Sequence, residues 1–318
     1  MANDPGCALN QEPGNTPLIE VDGIHAKLEC TNPCGSIKDR IAKFILEKSE
    51  KRGLLRPGMK IVEATSGNTG ISFSFYAKRL GYPITIVMPE NMSAERKQLI
   101  RELGAELILV RAGDFAEAAR VRDEMANDPT YFNPDQFSNP LNVECHYRTT
   151  GREILDQMNE IGKPIDAFVA GIGTGGTLIG VGKALRERFP NIHLAAVEPA
   201  ESQVMAGKAP GLHTIFGIGD GFVPKIAQGE KNGLHEMIDE VIPVSSEDSK
   251  KTAVYIEERF GFCIGMSSGA NFVAAQSLRR RFPTVVTIFA DGYSKYRSLG
   301  LKYAGSGRCR FEDKGRLA

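Results

Sequence analysis

Residues 61–70 read Ile61-Val62-Glu63-Ala64-Thr65-Ser66-Gly67-Asn68-Thr69-Gly70. The apolar start predicts a strand, the centre a glycine turn, and the small and apolar residues from Ile71 to Leu80 a helix. The first N–H groups of a helix have no intrahelical partner, and its dipole is positive there. Backbone donors and the Thr65, Ser66 and Thr69 hydroxyls therefore make an anion site. A second turn of this design stands at Gly171-Ile172-Gly173-Thr174-Gly175-Gly176-Thr177, after the run Ala167–Ala170. Lys38 lies upstream, in Gly35-Ser36-Ile37-Lys38-Asp39-Arg40. The three pieces suit a substrate carboxylate, a cofactor phosphate and an amine between them.

Outward from this stretch, strands and helices alternate. Strand Lys60–Ala64 and helix Thr69–Leu80 are followed by strand Ile84–Met88 and by helix Ala94–Leu103, which Ser93 caps. Strand Glu106–Val110 and helix Phe115–Asn127 complete a βαβαβα series, which implies a parallel twisted sheet. The proline-marked stretch Asp128–Asn142 is the expected crossing between lobes. The alternation resumes with helix Val143–Asn159, strand Ala167–Gly171, helix Thr177–Phe189 and strand His193–Glu198. After a long Gly-rich loop come strand Glu240–Val244, helices Ser246–Phe260 and Gly269–Phe282, and strand Thr284–Ala290. Upstream, a hairpin turns at Asp22-Gly23 and a helix spans Ile37–Arg52. The expected fold is α/β with two lobes, each a twisted, mostly parallel sheet flanked by helices. Residues 36–142 form the smaller, mobile, substrate-side lobe; residues 1–35 and 143–318 form the larger, phosphate-binding lobe. Phe73, Phe75 and Tyr76 are expected to pack against a sheet.

Composition removes several function classes. Lys+Arg and Asp+Glu both total 39, so no positive field favours nucleic acid or a membrane surface. Arg279-Arg280-Arg281 reads as a solvated helix end before Pro283. No apolar run approaches the roughly 20 residues of a membrane span, and the first fifteen residues carry no secretory signal. A cytoplasmic protein is expected. Six cysteines are scattered without a CxxC, so free thiols are expected. No further Cys/His cluster accompanies Cys30 and Cys34, and no metal site is expected.

The second turn admits two readings. Gly171, Gly173 and Gly176 satisfy G-x-G-x-x-G, and Glu198 ends the next strand, as in a nicotinamide-dependent dehydrogenase. Such a fingerprint usually heads its domain, whereas this one lies past the middle. Thr174 and Thr177 add hydroxyls suited to a terminal phosphate monoester. Spacing leaves dinucleotide and monophosphate open. A lysine drawn into a closed cleft beside anion sites is suited to Schiff-base chemistry, because desolvation and neighbouring cations free its amine.

Six motifs then occur in order: Asn32-Pro-Cys-Gly-Ser-Ile-Lys-Asp-Arg, Thr65-Ser-Gly-Asn-Thr-Gly, Gln136-Phe-Ser-Asn-Pro, Gly173-Thr-Gly-Gly-Thr, Gly217-Ile-Gly-Asp-Gly-Phe-Val-Pro and Ser267-Ser-Gly-Ala. From about Gly14 to about Tyr296 the chain resembles the cysteine synthase and cystathionine β-synthase family, pyridoxal-phosphate enzymes of fold type II. The resemblance implies that Lys38 carries the cofactor as a Schiff base and later moves the Cα proton. Asn68 would hydrogen-bond the pyridoxal 3′ oxygen. Thr65, Ser66, Gly67 and Thr69, assisted by Gln136, would bind the substrate carboxylate. Gly173, Thr174, Gly175, Gly176 and Thr177 would hold the phosphate. The implied reaction is β-replacement on a serine- or cysteine-type amino acid by sulfide or a thiol, in a homodimer. Cysteine synthase is the first expectation; cystathionine β-synthase or a cysteine-consuming, sulfide-releasing enzyme is the second. A catalytically silent relative is a third, which the retained Lys38 opposes.

Two positions depart from the family pattern. Where the family often has a serine facing the pyridine nitrogen, this chain has Ala290-Asp291-Gly292. Asp291 or a water would take that contact, or Asp291 would cap the following turn. Asp220, in Gly219-Asp220-Gly221, replaces a commonly small residue. It would act on the substrate side as a base for water or a thiol, or stay a solvated loop aspartate. His146 and His213 fall in no matching motif and receive no role.

Overall fold

The computed structural model describes residues 12–65, 67–230 and 233–299. The chain opens with a hairpin, β1 (Leu18–Val21) and β2 (Ile24–Leu28), followed by α1 (Lys38–Lys51). Next come β3 (Lys60–Ala64), α2 (Asn68–Leu80), β4 (Ile84–Pro89), α3 (Ala94–Glu102), β5 (Glu106–Val110) and α4 (Phe115–Ala126). A short β6 (Tyr131–Phe132) precedes α5 (Pro140–Arg148), α6 (Thr150–Ile161), β7 (Ala167–Gly171), α7 (Gly176–Arg188) and β8 (His193–Pro199). After the long loop come β9 (Glu240–Val244), α8 (Ser246–Phe260), α9 (Met266–Arg279), β10 (Val285–Phe289) and a 3-10 turn at Tyr293–Leu299.

The strands form two sheets. One has four parallel strands in the order β5-β4-β3-β6. The other has six, in the order β1-β2-β10-β7-β8-β9; only the β1–β2 pair is antiparallel. Interior strands covered on both faces read as continuous apolar runs, and β10 (VVTIF) is buried throughout. Alternate residues of β7 serve opposite faces: Val169 packs in the core of α8 and α9, Phe168 in that of α6 and α7. Phe73, Phe75 and Tyr76 pack in the core of the four-stranded sheet, as expected. The three arginines 279–281 are exposed, also as expected.

Some expectations need correction. The single helix 143–159 is two helices; the first starts earlier, at Pro140, and the second ends later, at Ile161, than the apolar pattern suggests. Asn139 caps α5, its Oδ1 accepting from Leu141 N at 3.0 Å, with Pro140 at the first helical position. Thr149 breaks the run at φ −117°, ψ −80°, and its hydroxyl donates to Cys145 O at 2.8 Å. The break brings Gly151 against α7, where a Cβ would lie 2.6 Å from the Ala184 Cβ. The strand β6 has no signal beyond two aromatic residues. Cys30, Cys34 and Cys145 are in no disulfide, whereas Cys263 departs from expectation and is disulfide-bonded.

A buried ionic cluster ties the hairpin to the helices. Arg40 on α1 donates to Glu29 (Nε–Oε2 2.6 Å) and to Glu153 on α6 (Nη1–Oε1 2.7 Å). Lys27 on β2 reaches Glu153 at 2.8 Å. Burial would raise the Glu153 pKa, but the hydrogen bonds and charge of Arg40 and then Lys27 lower it to about 2.

Candidate active site

The parallel strands of both sheets end toward one cleft, as open α/β sheets dispose their binding sites. β3 delivers Thr65 to Thr69, β7 delivers Gly171 to Thr177, and β10 delivers Ala290 and Asp291. Lys38, Asn68, Thr69, Gln136, Gly173, Thr174, Gly175, Thr177 and Asp220 line this cavity, whereas Thr65, Gly67 and Gly176 are not among its lining residues. Ser66 lies outside the described residues.

Lys38 is the first residue of α1, and its N–H donates to Ser36 Oγ at 3.3 Å. Burial lowers the pKa of its amine; the carboxylates of Asp220 and Asp291 partly oppose this. Burial raises the Asp220 carboxyl, against the pull of His213 and Lys38. His213 secures the Asp220 loop: Gly219 O lies 2.8 Å from its Nε2, and Ile215 N donates to its Nδ1 at 3.2 Å.

On the β3 side, the turn is held from within and below. Gly67 N donates to Thr65 Oγ1 at 3.0 Å, and Thr69 Oγ1 donates to Gln136 Oε1 at 2.7 Å. Gln136 Nε2 donates to Ala64 O at 3.1 Å. Gly67 has φ 142°, and a Cβ there would lie 2.1 Å from Arg96 Cδ, so glycine is required twice over. Arg96 was missed by sequence reasoning. It is fully buried, lines the cavity, and stacks on Tyr296 at 4.6 Å.

On the β7 side, Gly173 passes so close to the next loop that a Cβ would lie 2.3 Å from Gly217 O. Gly176 N donates to Thr174 Oγ1 at 3.3 Å, and Asn142 Nδ2 donates to the same hydroxyl at 3.0 Å. His146 Nε2 lies 3.3 Å from Thr177 Oγ1, and its Nδ1 2.9 Å from Thr150 Oγ1. Only the motif threonines were visible in the sequence; their supports lie on α5.

Two alternatives are corrected by this geometry. Glu198, the acid of the dehydrogenase reading, is buried off the cavity and accepts from Met205 N at 2.9 Å. It is spent on closing its own loop. Asp291, expected either to contact the pyridine nitrogen or to cap the following turn, is not among the residues that line the cavity; Ser267 is.

Residues 9–291 match the model of a family described as "Pyridoxal-phosphate dependent enzyme". The chain belongs to that family. A cysteine synthase of Staphylococcus aureus is 40% identical to this pyridoxal-phosphate enzyme over 313 residues, 95% of this chain and 98% of that one. A hydrogen sulfide-producing enzyme from Fusobacterium nucleatum matches with TM-score 0.84 and 39% identity, over 91% of this chain and 89% of that one. An O-acetylserine dependent cystathionine beta-synthase from Helicobacter pylori matches with TM-score 0.85 and 35% identity, over 92% of this chain and 98% of that one. The activity is of the cysteine synthase type, and the dehydrogenase reading is set aside. Among the described residues no helix is long and apolar enough to cross a membrane.

The residues present fit the cofactor. Among the described residues eight buried side-chain polar atoms have no hydrogen-bond partner, and four belong to residues that line this cleft: Asn68 Oδ1, Arg96 Nε and Nη1, and Asn271 Oδ1. Buried polar atoms are costly to leave unpaired, and a polar ligand in the cleft is the natural partner for such a concentration.

Proposed function

We propose that this cleft carries out β-replacement on an O-acylated serine, forming L-cysteine from O-acetylserine and sulfide, with Lys38 as the lysine that attaches the cofactor. The observation that carries the reading is the Lys38 amine: burial lowers its pKa, and it stands in one cavity with both glycine turns. A neutral amine is the form that attacks a carbonyl and later moves a proton. Pyridoxal phosphate supplies the electron sink. Thr174, Thr177 and the α7 N-terminus would hold its phosphate, and Asn68 its ring oxygen. The Thr65–Thr69 turn with Gln136 would bind the amino-acid carboxylate, which fixes the Cα–H bond toward Lys38. Lys38 then takes the Cα proton, and sulfide adds at Cβ after acetate leaves.

A second reading is favoured by Asp220, whose raised carboxyl shares the cavity with Lys38. We propose that it serves as a base for water or a thiol and extends the acceptors to cysteine or homocysteine. Residues 36–142 would move as a lobe that closes on substrate. A homodimer, which follows the family resemblance, and a cytoplasmic location are also proposed; sedimentation equilibrium and cell fractionation decide them.

The purified protein should absorb visible light as a lysine-bound cofactor does, and Lys38→Ala should abolish that band and the formation of cysteine from O-acetylserine and sulfide. A colourless protein that pyridoxal phosphate cannot reconstitute sinks the reading. Asp220→Asn should narrow the choice among sulfide, cysteine and homocysteine toward sulfide; an unchanged preference removes the Asp220 role.

A further inference from the structure

Asp291 follows β10 in a segment clamped on both sides. Ile37 N donates to Ala290 O at 2.8 Å, and Gly265 N donates to Asp291 O at 2.9 Å. The turn before Lys38 and the N-cap of α9 thus fix its backbone. Its side chain is fully buried. Tyr296 Oη donates to Asp291 Oδ2 at 2.6 Å, Asn68 Nδ2 donates to the same oxygen at 2.7 Å, and Arg96 Nη2 lies 3.9 Å away. A buried polar group needs such hydrogen-bond partners. The other oxygen, Oδ1, is packed against the start of α9: a Cβ on Gly265 would lie 2.0 Å from it. Asp291 is not among the residues that line the cavity.

Asn68 does line it. An amide facing a carboxylate must present its nitrogen, so the Asp291 contact settles which way the Asn68 amide points. That nitrogen carries two hydrogens, and Asp291 takes one. The second is left for an acceptor in the cavity.

We propose that Asp291 is a positioning residue for Asn68 and does not pair with the cofactor's ring nitrogen. Its carboxylate orients the Asn68 amide toward the ring oxygen, and Arg96 and Tyr296 hold that carboxylate in place. The inference rests on the reading that Asn68 meets the ring oxygen.

Two measurements on the holoenzyme test it. Pyridoxal phosphate labelled with nitrogen-15 in the ring should show an unprotonated ring nitrogen, with the same chemical shift in wild type and in Asp291→Asn. A protonated nitrogen in wild type that loses its proton in Asp291→Asn overturns the proposal. In the second, the pH titration of the visible band is followed in Asn68→Ala, Asp291→Ala and the double variant. The midpoint should move the same way in both single variants, and the double should add nothing. Additive shifts overturn the proposal. The cofactor dissociation constant should rise roughly 10-fold in Asp291→Ala and less in Asp291→Asn, which keeps an acceptor for Asn68. If Asp291→Ala does not fold, the isosteric Asp291→Asn still decides through the nitrogen signal. A wild type that takes up no cofactor overturns both this proposal and the reading beneath it.

Discussion

His146 touches two threonines and no cavity, yet it bears on where a phosphate can sit. Burial, and then the charges of Lys38 and Arg40, push its pKa well down, so the ring stays neutral and carries one N–H. With that hydrogen on Nε2, it donates to Thr177 Oγ1, and the threonine keeps its own proton for a phosphate oxygen. His146→Ala should weaken binding of pyridoxal phosphate roughly 10-fold while leaving binding of pyridoxal, which lacks the phosphate, within about twofold. Equilibrium dialysis with the two ligands measures this; equal losses would mean that His146 only packs. Wild-type affinity should show no His146 step between pH 6 and 8, because this ring stays neutral there. Most of the residues lining the cleft were legible in the sequence, since glycine turns, threonines and one lysine carry their chemistry in their spacing. Arg96, His146, Asn142 and Asn271 were not. Arg96 and Asn271 line the cleft from helices, and Asn142 and His146 support its threonines from one; each role depends on which face is buried against which loop. Asp291 was visible, but its orientation follows from Tyr296 and Asn68 together, and no spacing reveals that.

At the level of elements, β3 and its loop form one titrating unit. Glu63 is fully buried, and burial raises its pKa to about 7 despite Arg122; it accepts from Ala64 N at 2.9 Å and from Gln136 N at 3.3 Å. Between its unfolded value, 4.5, and about 7 the native state holds the proton that the unfolded chain releases. Stability is therefore full below 4.5 and falls as pH rises to about 7, by up to ~3 kcal/mol. Urea denaturation from pH 4.5 to 8 should show this slope, and Glu63→Gln should flatten it. Gly67→Ala is a second element-scale variant. It should disable the anion site of α2 while β3 and β4 stay paired, because its Cβ collides with Arg96 and its φ is one that side chains avoid. Circular dichroism with a cofactor titration separates those effects. The strand and helix series was readable from hydrophobic period alone, and β5, β7, β9 and α8 have the bounds the sequence implies. The α5–α6 break was not, because Thr149 is apolar enough at its methyl to continue a helical pattern. Only the hydroxyl bond to Cys145 O and the close approach of Gly151 to α7 show that it interrupts one.

For the whole molecule, cohesion around the hairpin rests on buried charge. Arg40 is the cation for Glu29, which is fully buried, and for Glu153. Arg40→Met should cost about 3–5 kcal/mol, because it leaves the fully buried Glu29 without its ion-pair partner, while Glu153 keeps Lys27. Urea denaturation should register that loss at any ionic strength, since buried pairs are little screened by salt. The order of the six-stranded sheet has a further consequence, for synthesis on the ribosome. β10 lies between β2 and β7, so residues 24–28, already paired with β1, gain their second neighbour only when residues 285–289 have been made. The four-stranded sheet draws on residues 60–132 alone and can assemble long before. A nascent chain arrested short of β10 would hold a finished small sheet beside two open strand edges, β2 and β7. Those edges are the surface a chaperone would have to cover until the last strand slides in.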